Sequence, residues 1–255
     1  MRANVGGNLL ALGLSPLTAL AVLAGCSQPE GTLDAPISTA SPVPTTDQSE
    51  TPVPPSSESQ VAPPTQTQIA PATAVAAGCR PVSGTPSPMT LASPPSTAKV
   101  GTITLNTNCG AIVVKTDPRA PRAVASEAFL ADAGFYDNSV CHRLSSSTVF
   151  ALQCGDPSGN GSGNAGYALD VENAPRDQQG NYPAGTVALS ALGEGSVGSQ
   201  FFIVYRDSTL SPNYTVWGHV VEGLDIVRRN AAQGTVESGV QPAASLQILS
   251  VTTSP

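Results

Sequence analysis

Aromatic residues are missing from the first half of this 255-residue chain. The five Phe, five Tyr and single Trp all lie between Phe129 and Trp217, whereas fifteen of the 24 prolines lie between Pro29 and Pro95. A stretch without aromatic rings and rich in Pro, Ser, Thr and Ala cannot bury enough apolar surface to offset the entropy lost on ordering. We therefore expect a linker over residues 26–98 and a globular domain over residues 99–255, which is long enough to bury a core.

Charged residues and histidines are also scarce. Charged side chains make up 11% of the chain and leave a net charge of −7, with no cluster of Lys and Arg to neutralise phosphates, so nucleic acid is not an expected partner. The two histidines, His142 and His219, lie in no motif that positions a nucleophile, and we assign them structural roles rather than a place in a Ser-His-Asp triad. A catalytic zinc site is equally unsupported, and we expect neither a metal nor another cofactor.

The N-terminus carries the features of an export signal. Arg2 is followed by an apolar run over residues 9–24 that is too short and too broken for a comfortable membrane span. The run ends in Leu-Ala-Gly-Cys, which resembles a bacterial lipobox. We therefore predict a signal peptide over residues 1–25, lipid on Cys26, and an extracytoplasmic protein that this lipid anchors to the bacterial cell membrane. An uncleaved anchor and ordinary secretion are the alternatives.

Four further cysteines then remain in an oxidising compartment, where an even number favours two disulfides. They can pair in three ways. Cys141 and Cys154 flank a predicted hairpin turn, so their pairing is the most local choice. That choice leaves Cys79, in the predicted linker, to pair with Cys109 beside a predicted turn. Four buried free thiols are the alternative.

Hydrophobic patterning predicts short strands and two helices in the globular part. Helices are predicted over residues 121–133, ending at Gly134, and over residues 224–231. Many strands with only two helices indicate an all-β barrel or sandwich rather than alternating βαβ units. The predicted strands cover residues 101–107, 111–115, 139–144, 148–154, 185–192, 200–205, 215–221 and 245–252.

One residue of the first helix does not fit its pattern. Glu127 lies on the same stripe as the apolar residues Val124, Leu130 and Ala131. An unpaired carboxylate is costly to bury. Either this stripe is partly open to solvent, or Glu127 has a partner that the sequence does not reveal.

Two short runs bring a distinctive set of chemical groups together. The first contains His142-Arg143 and then Gln153-Cys-Gly-Asp-Pro157, and the second is Gly198-Ser-Gln-Phe-Phe-Ile203. They supply one permanent cation, two side-chain amides and several aromatic rings, with no obvious nucleophile, acid/base pair or metal cluster beside them. Such a set binds and polarises a substrate rather than cleaving it.

These runs, in this order and at this spacing, resemble the cyclophilin-type peptidyl-prolyl cis-trans isomerases over about residues 101–251. Further matching pieces are Gly134-Phe-Tyr-Asp137, the glycine-rich residues 159–167, and Tyr214-Thr-Val-Trp-Gly218. The resemblance implies a closed eight-stranded antiparallel β-barrel capped by two helices, with the site on its outer face. It also implies an enzyme that isomerises X–Pro bonds, here in Pro-containing segments of exported proteins, without a cofactor or metal. We expect the protein to be a monomer.

The resemblance assigns roles to individual residues. Arg143 takes the place of the catalytic arginine. Phe150, Phe202 and Leu210 match the walls of the pocket for the proline ring. Gln153 and Gln200 match the amide-bearing positions that hold the peptide backbone, and the remaining substrate-binding positions are Ala151, Ser190, Ala191 and Tyr214.

Several positions depart from the family pattern. Ala151 replaces a usual methionine, Tyr214 stands where histidine is common, and Ser190-Ala191 replaces a usual Ala-Asn pair. The segment between Arg143 and Phe150 is two residues longer than the usual turn. The longer turn and Ala151 keep one alternative open, a non-catalytic module of the same fold that holds Pro-containing segments. A structural barrel whose ligand is unrelated to proline is a further alternative.

Overall fold

The computed structural model describes residues 74–193, 195–237 and 239–255, which form nine strands and two helices. The predicted signal peptide, Cys26 and most of the predicted linker lie outside the described residues. No helix in these ranges is long and apolar enough to cross a membrane. The elements, in chain order, are β1 (Thr102–Thr107), β2 (Gly110–Thr116), α1 (Pro121–Asp132), β3 (Arg143–Ser146), β4 (Phe150–Cys154), β5 (Leu169–Asp170), β6 (Thr186–Gly193), β7 (Ser196–Val204), β8 (Val216–Glu222), α2 (Leu224–Ala231) and β9 (Ile248–Ser254).

The strands form one curled antiparallel sheet in the order β3-β4-β7-β6-β8-β2-β1-β9, and β5 pairs with β7. The sheet is a half-barrel and not the closed eight-stranded barrel that the resemblance implies. Its edge strands β3 and β9 do not pair with each other along their length. Among the described residues, they are linked by the isolated bridge between Val140 and Gln247.

The chain that leads into β3 turns immediately before it bridges to the segment that leads into β9. Asn138 has a positive φ of 61°, and the Ser139 hydroxyl donates to the Tyr136 carbonyl oxygen at 2.6 Å. These features hold a turn where the sequence predicts the beginning of a strand at residue 139. After the isolated bridge at Val140, regular strand pairing begins at Arg143. The predicted start of this strand was wrong. Both predicted helices are confirmed to within one residue, and the two-residue strand β5 was missed.

Neighbouring side chains of β7 enter two different cores, because successive residues of a strand point to opposite faces. Phe201 packs in the main core with Trp217 and Tyr136. Phe202 joins a smaller cluster on the other face, with Tyr182 among its members. The smaller cluster is the apolar floor of the site described below.

Residues 74–98, which we call the strap, were predicted to belong to the linker, but they lie against the folded part of the chain. Ala76 is only 3% exposed. The Leu91 N–H donates to the Ala165 carbonyl oxygen at 2.8 Å, and a disulfide joins Cys79 to Cys109. Besides some apolar packing, the strap is held by this disulfide, by backbone hydrogen bonds and by the Asn108 and Gln247 side chains. The composition of the segment predicts none of these specific contacts.

The second disulfide joins Cys141 to Cys154, whose Cα atoms lie 4.0 Å apart. Between them, the His142 N–H donates to the Gln153 carbonyl oxygen at 3.0 Å. The favoured pairing of the four cysteines is therefore confirmed. This disulfide ties together the two strands that carry Arg143 and Gln153.

Candidate active site

A small pocket of about 70 Å³ opens on the outer face of the sheet, between β3, β4, β6, β7 and the loop that precedes β8. Most of the residues around it were assigned to the site from the sequence; Ser145 and Val149 were missed. The lining residues are Arg143, Ser145, Val149, Ala151, Gln153, Ser190, Phe202, Leu210 and Tyr214.

The walls of the pocket are aromatic and rigidly held. The Phe202 side chain is 5% exposed, and its ring meets the Tyr214 ring edge-to-face with centroids 5.3 Å apart. Beneath them, the Tyr182 hydroxyl accepts the Tyr214 N–H at 3.2 Å, and burial raises the pKa of Tyr182 to about 12. Both Leu210 backbone groups bond to the Asn181 side chain, at 3.1 and 2.7 Å. The pocket is therefore largely preformed.

Phe150 lies outside this pocket, although the resemblance places it in the pocket wall. Its ring packs against Tyr205 and beneath the guanidinium of Arg206. Because strand residues alternate, Ala151 and Gln153 face the pocket while Phe150 points away. Val149, on the same side as Ala151, occupies the wall instead. Counting back in steps of two from Gln153 would have identified Val149 from the sequence.

Arg143 borders both the pocket and an adjoining cavity. It lies directly opposite Gln153 in the β3–β4 ladder, and its side chain is exposed. None of the ion pairs among the described residues includes Arg143. Burial lowers the pKa of the neighbouring His142, so this imidazole is neutral at neutral pH. Arg143 can therefore direct its N–H groups at a bound ligand.

The two glutamines form a connected amide network. Gln153 Nε2 donates to Gln200 Oε1 at 2.7 Å and lies 3.3 Å from Ser190 Oγ. Gln200 Nε2 donates to the carbonyl oxygens of Gly161 and Gly163, at 2.9 and 2.8 Å. Both ends of the Gln200 amide are thus engaged by the protein. Gln153 Oε1 has no hydrogen-bond partner within the described part of the chain and can accept one from a ligand.

The adjoining cavity has a volume of about 420 Å³ and continues from Arg143 past Ser190. Ala191, which the resemblance places beside the substrate backbone, lines this cavity and not the small pocket. The cavity shares Arg143, Gln153 and Ser190 with the small pocket. Its other lining residues are Gln153, Gly161, Ser162, Asn164, Leu192, Gly198, Ser199 and Gln200.

Asp156 organises the loop that forms one side of this cavity. Its Oδ1 accepts the Ser158 N–H at 2.7 Å, and its Oδ2 accepts the Gly161 N–H at 2.6 Å. Burial disfavours the charged form, but these hydrogen bonds outweigh it and lower the pKa of Asp156 below its ordinary value. The motif Gln-Cys-Gly-Asp-Pro therefore supplies Gln153 to the site and Asp156 to the loop that supports it.

Residues 102–253 match the model of a protein family described as cyclophilin type peptidyl-prolyl cis-trans isomerase/CLD. The chain belongs to this family. The match covers both helices and every strand except Ser254, the last residue of β9, and it includes Arg143, Gln153 and Phe202.

Curated relatives carry the same name. The chain is 37% identical over 171 residues to the probable peptidyl-prolyl cis-trans isomerase B of Mycobacterium tuberculosis, covering 62% of this chain and 54% of that protein. It is 37% identical over 156 residues to the protein of the same name from Mycobacterium leprae, covering 57% of this chain and 52% of that protein. It is 32% identical over 154 residues to peptidyl-prolyl cis-trans isomerase cypE of Dictyostelium discoideum, covering 59% and 96%. The chain thus spans about half the length of the mycobacterial relatives.

Solved structures agree on the fold. A crystal structure of a cyclophilin type peptidyl-prolyl cis-trans isomerase from Cryptosporidium parvum aligns with a TM-score of 0.54 at 24% identity, covering 61% of this chain and 98% of that one. A second structure of that protein, in the presence of the dipeptide Ala-Pro, aligns with a TM-score of 0.53 at 23% identity, covering 60% and 99%.

Proposed function

We propose that this chain catalyses cis–trans isomerisation of X–Pro peptide bonds at the Arg143 pocket. The observation that carries the proposal is the position of Arg143. It is an exposed cation, outside every ion pair of the described residues, at the mouth of a pocket that has Phe202, Leu210 and Tyr214 in its wall. Membership of the cyclophilin family supports the same activity. The substrate class is a Pro-containing peptide segment.

The proposed mechanism needs no bond cleavage beyond loss of the partial π character of the C–N bond. The barrier to that rotation is about 18–20 kcal/mol. As the bond twists, the imide nitrogen becomes pyramidal and regains its lone pair. An Arg143 N–H donated to this nitrogen stabilises the twisted form more than the planar one, which is the condition for catalysis. The apolar walls hold the proline ring and exclude water, and Gln153 Oε1 accepts a hydrogen bond from the peptide backbone.

A non-catalytic module that holds Pro-containing segments is the second candidate. The small volume of the pocket, about 70 Å³, and the outward position of Phe150 favour it. A Pro-peptide isomerisation assay on the full chain and on Arg143→Ala separates the two. Acceleration that depends on Arg143 supports the enzyme. Binding without acceleration supports the module, and the absence of both leaves a barrel with an unrelated ligand.

We also propose that the protein is exported, lipidated on Cys26 and held as a monomer on the outer face of the bacterial cell membrane, where it assists folding of exported proteins. Two disulfides within the described residues support an oxidising compartment. Replacing Cys26 with Ser should block processing or release the protein from the membrane. A mature form of Cys26→Ser that stays membrane-bound would contradict lipid anchoring.

A further inference from the structure

Glu127 is buried inside the molecule and has a hydrogen-bond partner. The residue lies on α1 and is only 2% exposed. The Tyr136 hydroxyl oxygen lies 3.0 and 3.1 Å from the two Glu127 carboxyl oxygens. The same hydroxyl lies 3.0 Å from the backbone carbonyl oxygen of Ser199. This contact answers the question that the sequence leaves open about Glu127.

The number of protons in this cluster determines its charge state. A tyrosine hydroxyl has one proton to donate. If Glu127 were ionised, its carboxylate and the Ser199 carbonyl would compete for that proton, and one buried acceptor would lose its partner, which is costly. If Glu127 is protonated, its O–H donates to the Tyr136 hydroxyl oxygen, and Tyr136 donates to Ser199. Only the protonated form satisfies all three groups.

The surroundings of Glu127 favour the same form. Burial raises the pKa of Glu127 to about 8. The other titratable groups that face it are Tyr136 and Tyr167; burial raises the pKa of both, that of Tyr167 to about 12. No ion pair of the described residues includes Glu127. The carboxyl group therefore has no cation to hold it in the charged state.

Ser199 lies in a part of β7 that does not pair regularly with β6. The β6–β7 register passes from Leu189 opposite Phe201 to Ala191 opposite Val197, with an irregularity between these pairs. Residues 198–200 are the part of β7 that falls in this interruption. The Tyr136 hydrogen bond thus secures a carbonyl in a segment that lacks regular pairing with β6.

The same interrupted segment supports the candidate active site. Gln200, the next residue, bonds to Gln153 and to the carbonyl oxygens of the loop at Gly161 and Gly163. We propose that protonated Glu127 is a positioning residue for peptide binding, which acts through Tyr136 and Ser199 to hold Gln200 and the loop in place. The proposal rests on the proposed function of the Arg143 pocket. Loss of the Glu127 proton draws the Tyr136 proton to the carboxylate and releases the Ser199 carbonyl.

The first test measures the network without relying on activity. NMR spectra of the full chain are recorded from pH 6 to 9.5, and the side-chain amide signals of Gln153 and Gln200 are followed. Glu127→Gln is the key variant, because its amide can still donate to Tyr136 but cannot ionise. We expect the wild-type signals to shift with a midpoint near pH 8 and the variant signals to lack this step. Identical titration curves for the two proteins would overturn the proposal.

The second test separates positioning from catalysis. For the wild type, KM for a Pro-peptide should rise about tenfold between pH 7 and 9, while kcat changes little, because Arg143 lies outside the network. Glu127→Gln should show no such rise, and Tyr136→Phe should show a raised KM at every pH. Glu222→Gln, which removes an exposed carboxylate on β8, is the matched control and should keep the wild-type step. A KM step retained in Glu127→Gln would also overturn the proposal.

The two tests fail in distinguishable ways. If the wild type accelerates no isomerisation at any pH, the proposed enzymatic function fails, and the dissociation constant of the Pro-peptide replaces KM in the same comparison. The NMR titration still decides whether Glu127 controls the position of Gln200. A wild type that is active but whose Gln200 signals do not titrate refutes the positioning role alone.

Discussion

The guanidinium carbon of Arg206 lies 3.2 Å from the centre of the Phe150 ring. The aromatic ring that the resemblance assigns to the proline pocket is therefore covered by a cation on its face and is not offered to the substrate. Arg206 and Arg143 form a natural pair for comparison, because one is stacked on a ring and the other stands at the pocket. Phe150 and Phe202 form a second pair for comparison, because the Phe150 ring lies outside the pocket and the Phe202 ring lines it.

Arg143→Ala should lower turnover far more than binding. Loss of one charge-assisted hydrogen bond in a partly dry site raises the barrier by about 2–4 kcal/mol, which corresponds to a fall in kcat of about 30- to 1000-fold. Pro-peptide affinity should change little, since Phe202 and Leu210 make most of the ground-state contact. Arg206→Ala is the control and should keep turnover within about threefold. Wild-type turnover in folded Arg143→Ala would exclude the proposed mechanism.

Phe202→Leu should weaken both affinity and kcat/KM, because the ring forms the wall of the pocket against Tyr214. Phe150→Leu should leave both nearly unchanged, because its ring lies outside the pocket. The measurements are peptide affinity by calorimetry and isomerisation rate, with circular dichroism to confirm folding. A larger loss in Phe150→Leu than in Phe202→Leu would show that substrate binding repositions Phe150.

Removal of the Cys79–Cys109 disulfide should release the strap. The crosslink closes a loop with a sequence separation of 30 residues. Its removal as Cys79→Ala with Cys109→Ala should lower the free energy of unfolding by about 3–4 kcal/mol. We also expect faster cleavage within the strap by a protease of broad specificity. Removal of Cys141 and Cys154 together is the comparison: it should destabilise by about 3 kcal/mol without exposing the strap. Equal protection of the strap in all three proteins would contradict its dependence on Cys79.

The free energy of unfolding should depend on pH through Glu127. The carboxyl group has an ordinary pKa of 4.5 when unfolded and about 8 when folded. Between these values the folded state holds one proton more than the unfolded state, so stability falls as pH rises, by about 1.4 kcal/mol per pH unit. The contribution is complete below pH 4.5 and lost above about pH 8. Glu127→Gln should become more stable relative to the wild type over this window, as measured by urea denaturation. If the difference in the free energy of unfolding between Glu127→Gln and the wild type stays constant over this pH range, Glu127 does not titrate there.

Local patterns in the sequence predicted much of the fold and of the site. Proline and glycine residues indicated where the two helices begin and end, because they affect the backbone conformation at their own positions. The runs around Arg143 and Phe202 carry the family resemblance, and that resemblance implied the pocket. Cys141 and Cys154 flank a predicted hairpin turn, and their closeness along the chain indicated the disulfide between them.

Relationships between distant segments were decided only by the tertiary structure. The edge strands β3 and β9 do not pair along their length, and a disulfide to Cys109 holds the strap. Hydrophobic periodicity encodes neither feature. The partner of Glu127 is a hydroxyl on the turn after its own helix, which a stripe of apolar residues cannot reveal. The sequence by itself determined which chemical groups are present and on which elements they lie. Tertiary packing determined which of these groups share a proton, stack on a ring or line the same pocket. Such contacts depend on distances in space, and the spacing of residues along the chain does not specify those distances.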